Sequence, residues 1–227
     1  MLLYYIRHGS PTYNPDKLTP LGHRQAEALA RRLVRSGVDS IYASKSPRAY
    51  ETALHTAEIL QKSVTKLDFC DENDTWEDLV VTKEDGHRGW ISETQAFMNP
   101  EVHAMGDKWY EHPSVYDPRF PACIDRICGG MDAFLLDCGY QRNEDGTYTQ
   151  LRQNDEKVAL FAHHETGMIL LGHIFNLPYP YFKTRFSLCH TGLTAIEFSE
   201  WNGVVIPKMI TSSNDSHLYE AGLPMQF

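Results

Sequence analysis

The sequence predicts an α/β fold, a three-layer α/β/α sandwich around a mostly parallel, mixed sheet. Residues Leu2 to Ile6 form a short apolar and aromatic run, which is typical of a buried strand, and Val158 to Ala162 repeats this pattern. Asn202-Gly203 lies between two apolar runs and predicts a β-hairpin with a type I′ turn. Helical periodicity follows both buried strands, so the helices are expected on the faces of a sheet that carries an antiparallel edge.

The first helix is predicted to begin at Thr19-Pro20, where Thr19 is the N-cap and Pro20 the first helical residue. Gly37 marks its end. Small and apolar residues recur at helical spacing and predict a buried face made of Gly22, Ala26, Leu29, Ala30 and Leu33.

A second short strand is expected at Ser40 to Ala43, followed by another helix. Ser46-Pro47 repeats the arrangement of an N-cap and a proline, so Arg48 falls in the first turn of this helix. The inner face of the helix is predicted to contain Ala53, Leu54, Ala57 and Leu60.

The whole chain, residues 1–227, is predicted to form a single domain. Its middle, residues 61–157, is predicted to be a mainly helical insertion that caps the functional site formed by the rest of the chain. Apolar residues from Ile124 to Cys138 follow a helical period, and Gly139 closes that helix. Three of the four tryptophans lie in this segment, at Trp76, Trp90 and Trp109, so it is expected to be folded rather than a linker.

Composition narrows the possible partners. The net charge of −9 argues against nucleic acid or an anionic membrane as a general partner. The start of the chain lacks the basic residues and length of a signal peptide, and no apolar run is long enough to span a membrane. The five cysteines share no framework spacing and are expected to be reduced thiols, which favours a cytoplasmic location. The sequence is compatible with a homodimer.

Polar residues follow both buried strands at the point where each ends. Arg7-His8-Gly9 follows the first strand and His163 follows the second. The carboxyl ends of parallel strands meet at the same edge of a sheet, where open α/β sheets bind ligands. Arginine suits phosphate or carboxylate, and a neutral histidine can attack phosphorus. Arg48 near a helix N-terminus would add the free N–H groups of that helix to an anion site.

These residues resemble the signature of the histidine phosphatase superfamily, also called phosphoglycerate mutase-like. Arg7-His8-Gly9 followed by Asn14 matches its first motif. Two further stretches match in order, namely Ser44 to Ala49 with Thr52-Ala53, and Val158 to His163. The resemblance covers the chain ends and leaves the middle largely unmatched.

The resemblance implies a metal-independent phosphatase without a cofactor, acting on a small phosphorylated substrate through a phosphohistidine on His8. Arg7, Arg48 and His163 would hold the phosphoryl group, and Asn14 would contact it. The motifs do not assemble a metal site. His164 stands where the family more often has glycine, so either His163 or His164 could face the site. His163 is the predicted contact to the phosphoryl group because it matches the family position directly after the strand.

The family's proton donor is a carboxylate on the segment after the second helix. The acidic cluster at this place contains Asp71, Glu72, Asp74, Glu77 and Asp78. Glu77, beside Trp76, is the predicted proton donor because it looks most like the family position. Asp78 is the nearest alternative.

Two other functions stay open. A mutase would return the phosphoryl group to another hydroxyl instead of water, and it differs from a phosphatase in how well water is excluded. A regulatory protein would bind phosphate without turnover. No cysteine phosphatase loop, Walker loop or G-x-S-x-G motif occurs in the chain.

Overall fold

A computed structural model describes all residues from Met1 to Phe227. Its strands are β1 Leu2–Arg7, β2 Pro11–Tyr13, β3 Asp16–Leu18, β4 Ser40–Ser44, β5 Val64–Leu67, β6 Val80–Thr82, β7 Arg88–Trp90, β8 Tyr140–Arg142, β9 Tyr148–Gln150, β10 Lys157–Ala162, β11 Leu193–Glu197, β12 Glu200–Trp201, β13 Val204–Val205 and β14 Lys208–Asn214. Its helices are α1 Pro20–Ser36, α2 Pro47–Leu60, α3 Glu72–Leu79, α4 Pro100–Ala104, α5 Arg119–Asp137, α6 Glu165–Ile174, α7 Tyr179–Lys183 and α8 Ser216–Glu220. Ile91–Glu93 and Gly106–Glu111 form 3₁₀ turns.

The central sheet has six strands in the order β14-β11-β1-β10-β4-β5. Strands β1, β10, β4 and β5 are parallel neighbours, and β11 runs antiparallel to both β1 and β14. The predicted mixed, mostly parallel sheet is confirmed.

Alternate residues of β1 point into two separate cores. Tyr4 and Ile6 pack with the inner face of α1 and α2, whereas Leu3 and Tyr5 pack with α5 and α6. This alternation follows from the two-residue period of a strand. Helices therefore cover both faces, as a three-layer sandwich requires.

The predicted starts of the first two helices are confirmed. Thr19 is the N-cap of α1, and its side chain accepts a hydrogen bond from the amide of Gly22 at 3.0 Å. Ser46 precedes α2 as its N-cap, but its hydroxyl makes no capping bond and is engaged elsewhere. No helix combines the length and the apolar character that crossing a membrane requires.

The middle segment differs from its expected outline at its start. Val64–Leu67 pairs in parallel with β4 and belongs to the central sheet, so the insertion expected over 61–157 begins after β5. This strand was missed because half of it is exposed and it has no apolar run. The rest of the segment contains α3, α4 and α5 together with the hairpins β6–β7 and β8–β9.

The hairpin predicted near the end of the chain turns at the expected place but pairs differently. Asn202 and Gly203 both have positive φ angles, of 52° and 81°, as a type I′ turn requires. The short strands β12 and β13 flank this turn and join β9 and β8 in a separate four-stranded sheet. Only the outer strands β11 and β14 pair within the central sheet.

Candidate active site

The site lies where β1 and β10 end side by side. Arg7 pairs with Ala162 in the parallel ladder, and the amide of His8 donates a hydrogen bond to the carbonyl of Ala162 at 2.9 Å. The next residues, His8 and His163, are both buried, and their rings are 5.2 Å apart. The register of two strands thus places two imidazoles against each other.

The ring of His8 is held in one tautomer. Its Nδ1 lies 2.7 Å from the carbonyl oxygen of Gly9, which can only accept, so Nδ1 carries the proton and Nε2 the lone pair. The Nε of Arg48 donates to Nε2 at 3.3 Å. Burial, the neighbouring His163 and the charges of Arg48 and Arg7 hold the pKa of His8 well below its usual range. A neutral imidazole can act as a nucleophile through Nε2 once that atom is released from the hydrogen bond with Arg48.

Two buried guanidinium groups, those of Arg7 and Arg48, lie near His8. Arg7 donates from Nη1 to the carbonyl of Leu188 at 2.6 Å, whereas its Nε is buried without a partner. Arg48 donates from Nη1 to Asp16 at 2.7 Å, and its Nη2 lies 3.5 Å from Glu72. A buried N–H without an acceptor costs free energy, and the oxygen of a bound anion would supply that acceptor.

His163 is fixed by two serines. Its Nε2 lies 2.8 Å from the hydroxyl of Ser44 and 3.0 Å from that of Ser46, so the hydroxyl of the α2 N-cap holds a histidine. Its Nδ1 is buried without a hydrogen bond, 3.6 Å from the carboxylate of Glu72. Burial and the nearby arginines hold the pKa of His163 well below its usual range.

The structure brings Glu72, and not Glu77, to this centre. The side chain of Glu72 is 11% exposed and contacts both Arg48 and His163, whereas that of Glu77 is 71% exposed and pairs with Arg88 at 3.6 Å. The two glutamates are five residues apart on α3, which turns them about 140° from each other around the helix. Glu72 shares the face of Trp76 because it lies one helical turn earlier, whereas Glu77, the sequence neighbour of Trp76, lies on a different face of α3.

The alternative Asp78 also lies away from the centre. Its carboxylate accepts a hydrogen bond from Nη2 of Arg126 on α5 at 3.0 Å. This bond joins α3 to α5 and does not involve the site. Asp74 pairs with Lys45 at 2.8 Å in a half-exposed ion pair.

This chain is matched from residue 3 to residue 129 by the sequence profile of the histidine phosphatase superfamily (branch 1). The match covers more than half of the chain. The chain belongs to this superfamily.

Two curated relatives of this superfamily member come from Hydrogenobacter thermophilus. A putative phosphoserine phosphatase 2 is 42% identical over 67 residues, which is 26% of this chain and 33% of the relative. A phosphoserine phosphatase 1 is 32% identical over 107 residues, 40% of this chain and 51% of the relative. The chain therefore spans about a third of the length of the first relative and about half of the length of the second.

Solved structures of similar fold align over nearly the whole chain. A phosphoserine phosphatase from Entamoeba histolytica in complex with phosphoserine has a TM-score of 0.61 at 19% identity, covering 96% of this chain and 98% of its own. A mycobacterial glucosyl-3-phosphoglycerate phosphatase has a TM-score of 0.59 at 18% identity, covering 92% and 97%. At this identity the similarity establishes the fold.

In this histidine phosphatase superfamily member, the turn after β2 does not bring Asn14 to the site. Asn14 is exposed and its side chain makes no hydrogen bond. Its neighbours approach instead, since Tyr13 lines the pocket and Asp16 holds Arg48. Adjacent side chains of a strand point to opposite sides, so a difference of one or two positions in the chain decides which residue of this hairpin reaches the site.

The histidine beside His8 is His163, and its neighbour His164 lies further out. His164 bonds through Nε2 to Ser187 at 3.1 Å, and its Nδ1 is 3.5 Å from Nζ of Lys183. It lines the outer pocket with Glu165.

A third histidine lies at this centre and was missed from the sequence. The ring of His190 is 5.6 Å from that of His8, and neither of its nitrogens has a partner. Burial and the charge of Arg7 lower the pKa of His190 to about 3. It precedes β11, the antiparallel neighbour of β1, and only that pairing, which hydropathy does not reveal, brings it here.

Donor atoms of His8, Glu72 and His163 lie within 4.8 Å of one another, a spacing that a metal ion could use. Arg48 contacts His8 and Glu72, however, and Arg7 is buried beside them. Two guanidinium groups repel a cation and attract an anion, so the arrangement favours a phosphoryl group at this position.

Proposed function

We propose that this protein hydrolyses phosphomonoesters through a phosphohistidine formed at Nε2 of His8. The observation that carries the proposal is a buried, neutral imidazole whose Nε2 faces the guanidinium of Arg48, with the buried charge of Arg7 nearby. This arrangement can hold a phosphoryl group and attack it. Membership of the histidine phosphatase superfamily supports the same chemistry.

Binding would fill the unmet donors of the centre. The phosphoryl oxygens would accept from the free Nε of Arg7 and from Arg48, and from Nδ1 of His163 if that nitrogen carries the ring proton. The serines at Nε2 of His163 can donate as well as accept, so they allow this tautomer. Substrate binding thus satisfies groups that the free site leaves without partners.

Glu72 is the acid and base that the geometry supports. Its carboxylate lies 3.6 Å from Nδ1 of His163 and 3.5 Å from Nη2 of Arg48, within reach of a phosphoryl group held at this centre. In the first step the Nε2–P bond forms and the P–O ester bond breaks, and Glu72 gives its proton to the leaving oxygen. In the second step Glu72 takes a proton from water, which attacks phosphorus, and phosphate leaves Nε2.

The decisive experiment is hydrolysis of p-nitrophenyl phosphate by the purified protein and by His8→Ala. We expect release of p-nitrophenol by the wild type and loss of at least about 10³-fold in the variant, since the nucleophile is removed. After a rapid acid-free quench, mass spectrometry should find the phosphoryl group on the peptide that contains His8.

His55→Ala is the matched control, because His55 pairs with His23 on the outer side of α1 and α2 and does not line the pocket. Turnover by a folded His8→Ala protein would refute the mechanism. Isomerisation of 3-phosphoglycerate in place of hydrolysis would identify a mutase, and phosphate binding without turnover a regulatory protein. The homodimer and the cytoplasmic location stay predictions.

A further inference from the structure

The pocket beside the phosphate centre is large and has an aromatic outer wall. It encloses about 630 Å³, which falls in the range for ligands well above the size of a three-carbon acid. Trp76 on α3 and Trp90 at the end of β7 meet edge to face, with ring centroids 4.8 Å apart. Tyr13 and Phe227 complete the aromatic lining.

The hairpin β6–β7 creates this wall. Val80 pairs with Trp90 across the hairpin, and Val80 directly follows α3, so Trp90 returns to the helix that carries Trp76. Because Trp76 is one helical turn after Glu72, the wall lies on the side to which the leaving group would depart. The two indole side chains are therefore placed beside the leaving group and not beside the phosphoryl group.

The charges of the outer pocket are already paired. Lys183, the one lysine of the lining, forms a 2.6 Å ion pair with Glu165. Glu165 is buried, and although burial alone would raise its pKa, the neighbouring His164, the charge of Lys183 and hydrogen bonds from Lys183 and Tyr179 lower it to about 2. Glu93 is paired with Lys83.

Apart from Arg7 and Arg48, which the proposed function assigns to the phosphoryl group, these pairs leave the pocket lining without an uncommitted arginine or lysine. A lining of aromatic rings and already paired carboxylates would not favour a leaving group that carries its own carboxylate, since such a group needs a positive partner. An uncharged ring, by contrast, would bury its face against indole, which aromatic side chains favour beyond the area they cover.

We infer that the preferred substrate is the phosphomonoester of an uncharged, ring-bearing alcohol, either a sugar or an aromatic alcohol, whose ring packs on Trp76 and Trp90. The inference rests on the proposed hydrolysis at His8. It distinguishes this protein from the phosphoserine phosphatases among its relatives, since phosphoserine carries charged groups on a three-carbon chain.

The test compares esters of primary alcohols, so that leaving groups of similar reactivity are used. Benzyl phosphate and glucose 6-phosphate carry rings, ethyl phosphate is small and uncharged beyond the phosphate, and O-phosphoserine and 3-phosphoglycerate carry carboxylates. We expect kcat/KM for at least one ring-bearing ester to exceed those for the two acids by tenfold or more. Preference for benzyl phosphate would identify an aromatic alcohol and preference for glucose 6-phosphate a sugar; higher kcat/KM for either acid would overturn the inference.

Trp90→Ala tests the wall itself. We expect about a tenfold loss of kcat/KM for the preferred ring-bearing ester and less than a twofold change for ethyl phosphate, with Trp90→Phe restoring most of the loss. Trp201→Ala, at a tryptophan that is 78% exposed on another hairpin, is the matched control. Equal losses for the ring-bearing and ethyl esters would refute a contact with the ring.

A binding measurement separates this inference from the proposed function. The phosphonates corresponding to the benzyl and ethyl esters cannot be hydrolysed, so calorimetry with wild type and Trp90→Ala reports ring binding without turnover. Tighter binding of benzylphosphonate that Trp90→Ala abolishes would support an aromatic wall even if hydrolysis fails. Equal affinity for both phosphonates, together with no preference for glucose 6-phosphate over ethyl phosphate, would overturn it.

Discussion

The backbone amide of Glu165 donates a 2.7 Å hydrogen bond to Oε1 of Glu72. This bond joins the start of α6, two residues after His163, to the start of α3. It leaves Oε2 of Glu72 directed at Arg48 and at Nδ1 of His163. A helix N-terminus, which favours negative charge, thus orients the carboxylate that the proposed mechanism needs.

Replacing Glu72 by Gln should impair substrates with poor leaving groups most. We expect a loss of about 10²- to 10⁴-fold in kcat for an alkyl phosphate and a much smaller loss for p-nitrophenyl phosphate, because p-nitrophenolate leaves without a proton. Steady-state kinetics with both substrates measure the difference. Glu77→Gln, at an exposed position on the same helix, should retain near wild-type kinetics. The opposite result, with the leaving-group dependence in Glu77→Gln, would return the acid to the residue first chosen from the sequence.

Asp16 should act through Arg48. The 2.7 Å bond between them fixes a guanidinium that is itself buried, and removing one charge of such a pair leaves the other without compensation. We expect Asp16→Asn to raise KM for p-nitrophenyl phosphate and lower kcat/KM by about tenfold or more, since Arg48 loses its orientation.

The comparison for Asp16 is Asn14→Ala in the same turn, where the side chain is exposed and makes no hydrogen bond. We expect a change below twofold. A loss with Asn14→Ala as large as with Asp16→Asn would show that Asn14 binds substrate, as the resemblance implies.

The ring of His8 should remain neutral in mildly acidic solution. Its pKa lies well below the ordinary 6.5, so the neutral form persists as the pH falls through 6.5 and the lone pair is not lost there. Histidine ¹⁵N chemical shifts recorded from pH 7.5 to 5, and assigned with His8→Ala, should show no transition for His8 and a proton on Nδ1. A titration midpoint near 6.5 would contradict this environment.

Gly22 should be irreplaceable by alanine. A Cβ at this position would lie 2.2 Å from the carbonyl oxygen of Ser10, in the loop that follows His8. We expect Gly22→Ala to lower the free energy of unfolding by at least about 1–3 kcal/mol, as measured by urea denaturation. Gly129→Ala, at an exposed helical glycine with open space around it, should raise it by up to about 1 kcal/mol. Similar effects of both variants would exclude the close approach as the cause.

Gly9 illustrates how a correct residue can have a different physical role. A glycine after the nucleophile suggests close approach of the backbone to a ligand, but the missing Cβ of Gly9 would lie 2.7 Å from the carbonyl oxygen of Gly22. The absence of side chains at Gly9 and Gly22 lets α1 pack closely against the loop that follows His8. The sequence shows that glycines stand there, and only the packing shows what approaches them.

The residue pattern of the strands and helix caps determined which residues meet at the edge of the sheet. Parallel strands end at one edge, so apolar runs that stop at Arg7 and Ala162 place Arg7, His8 and His163 together, and the cap at Ser46 places Arg48 in the first turn of α2. These features depend on local periodicity and backbone chemistry, which sequence carries.

Tertiary structure alone decided which carboxylate, which third histidine and which aromatic wall surround that edge. Glu72 and Glu77 share a helix of eight residues with no strong apolar face, and the orientation of α3 follows from the elements packed against it. His190 and Trp90 arrive through strand pairings, between β11 and β1 and between β7 and β6, that no local pattern specifies. Such contacts join residues far apart in the chain or on opposite arms of a hairpin, and their free energy depends on packing that exists only after the fold has formed.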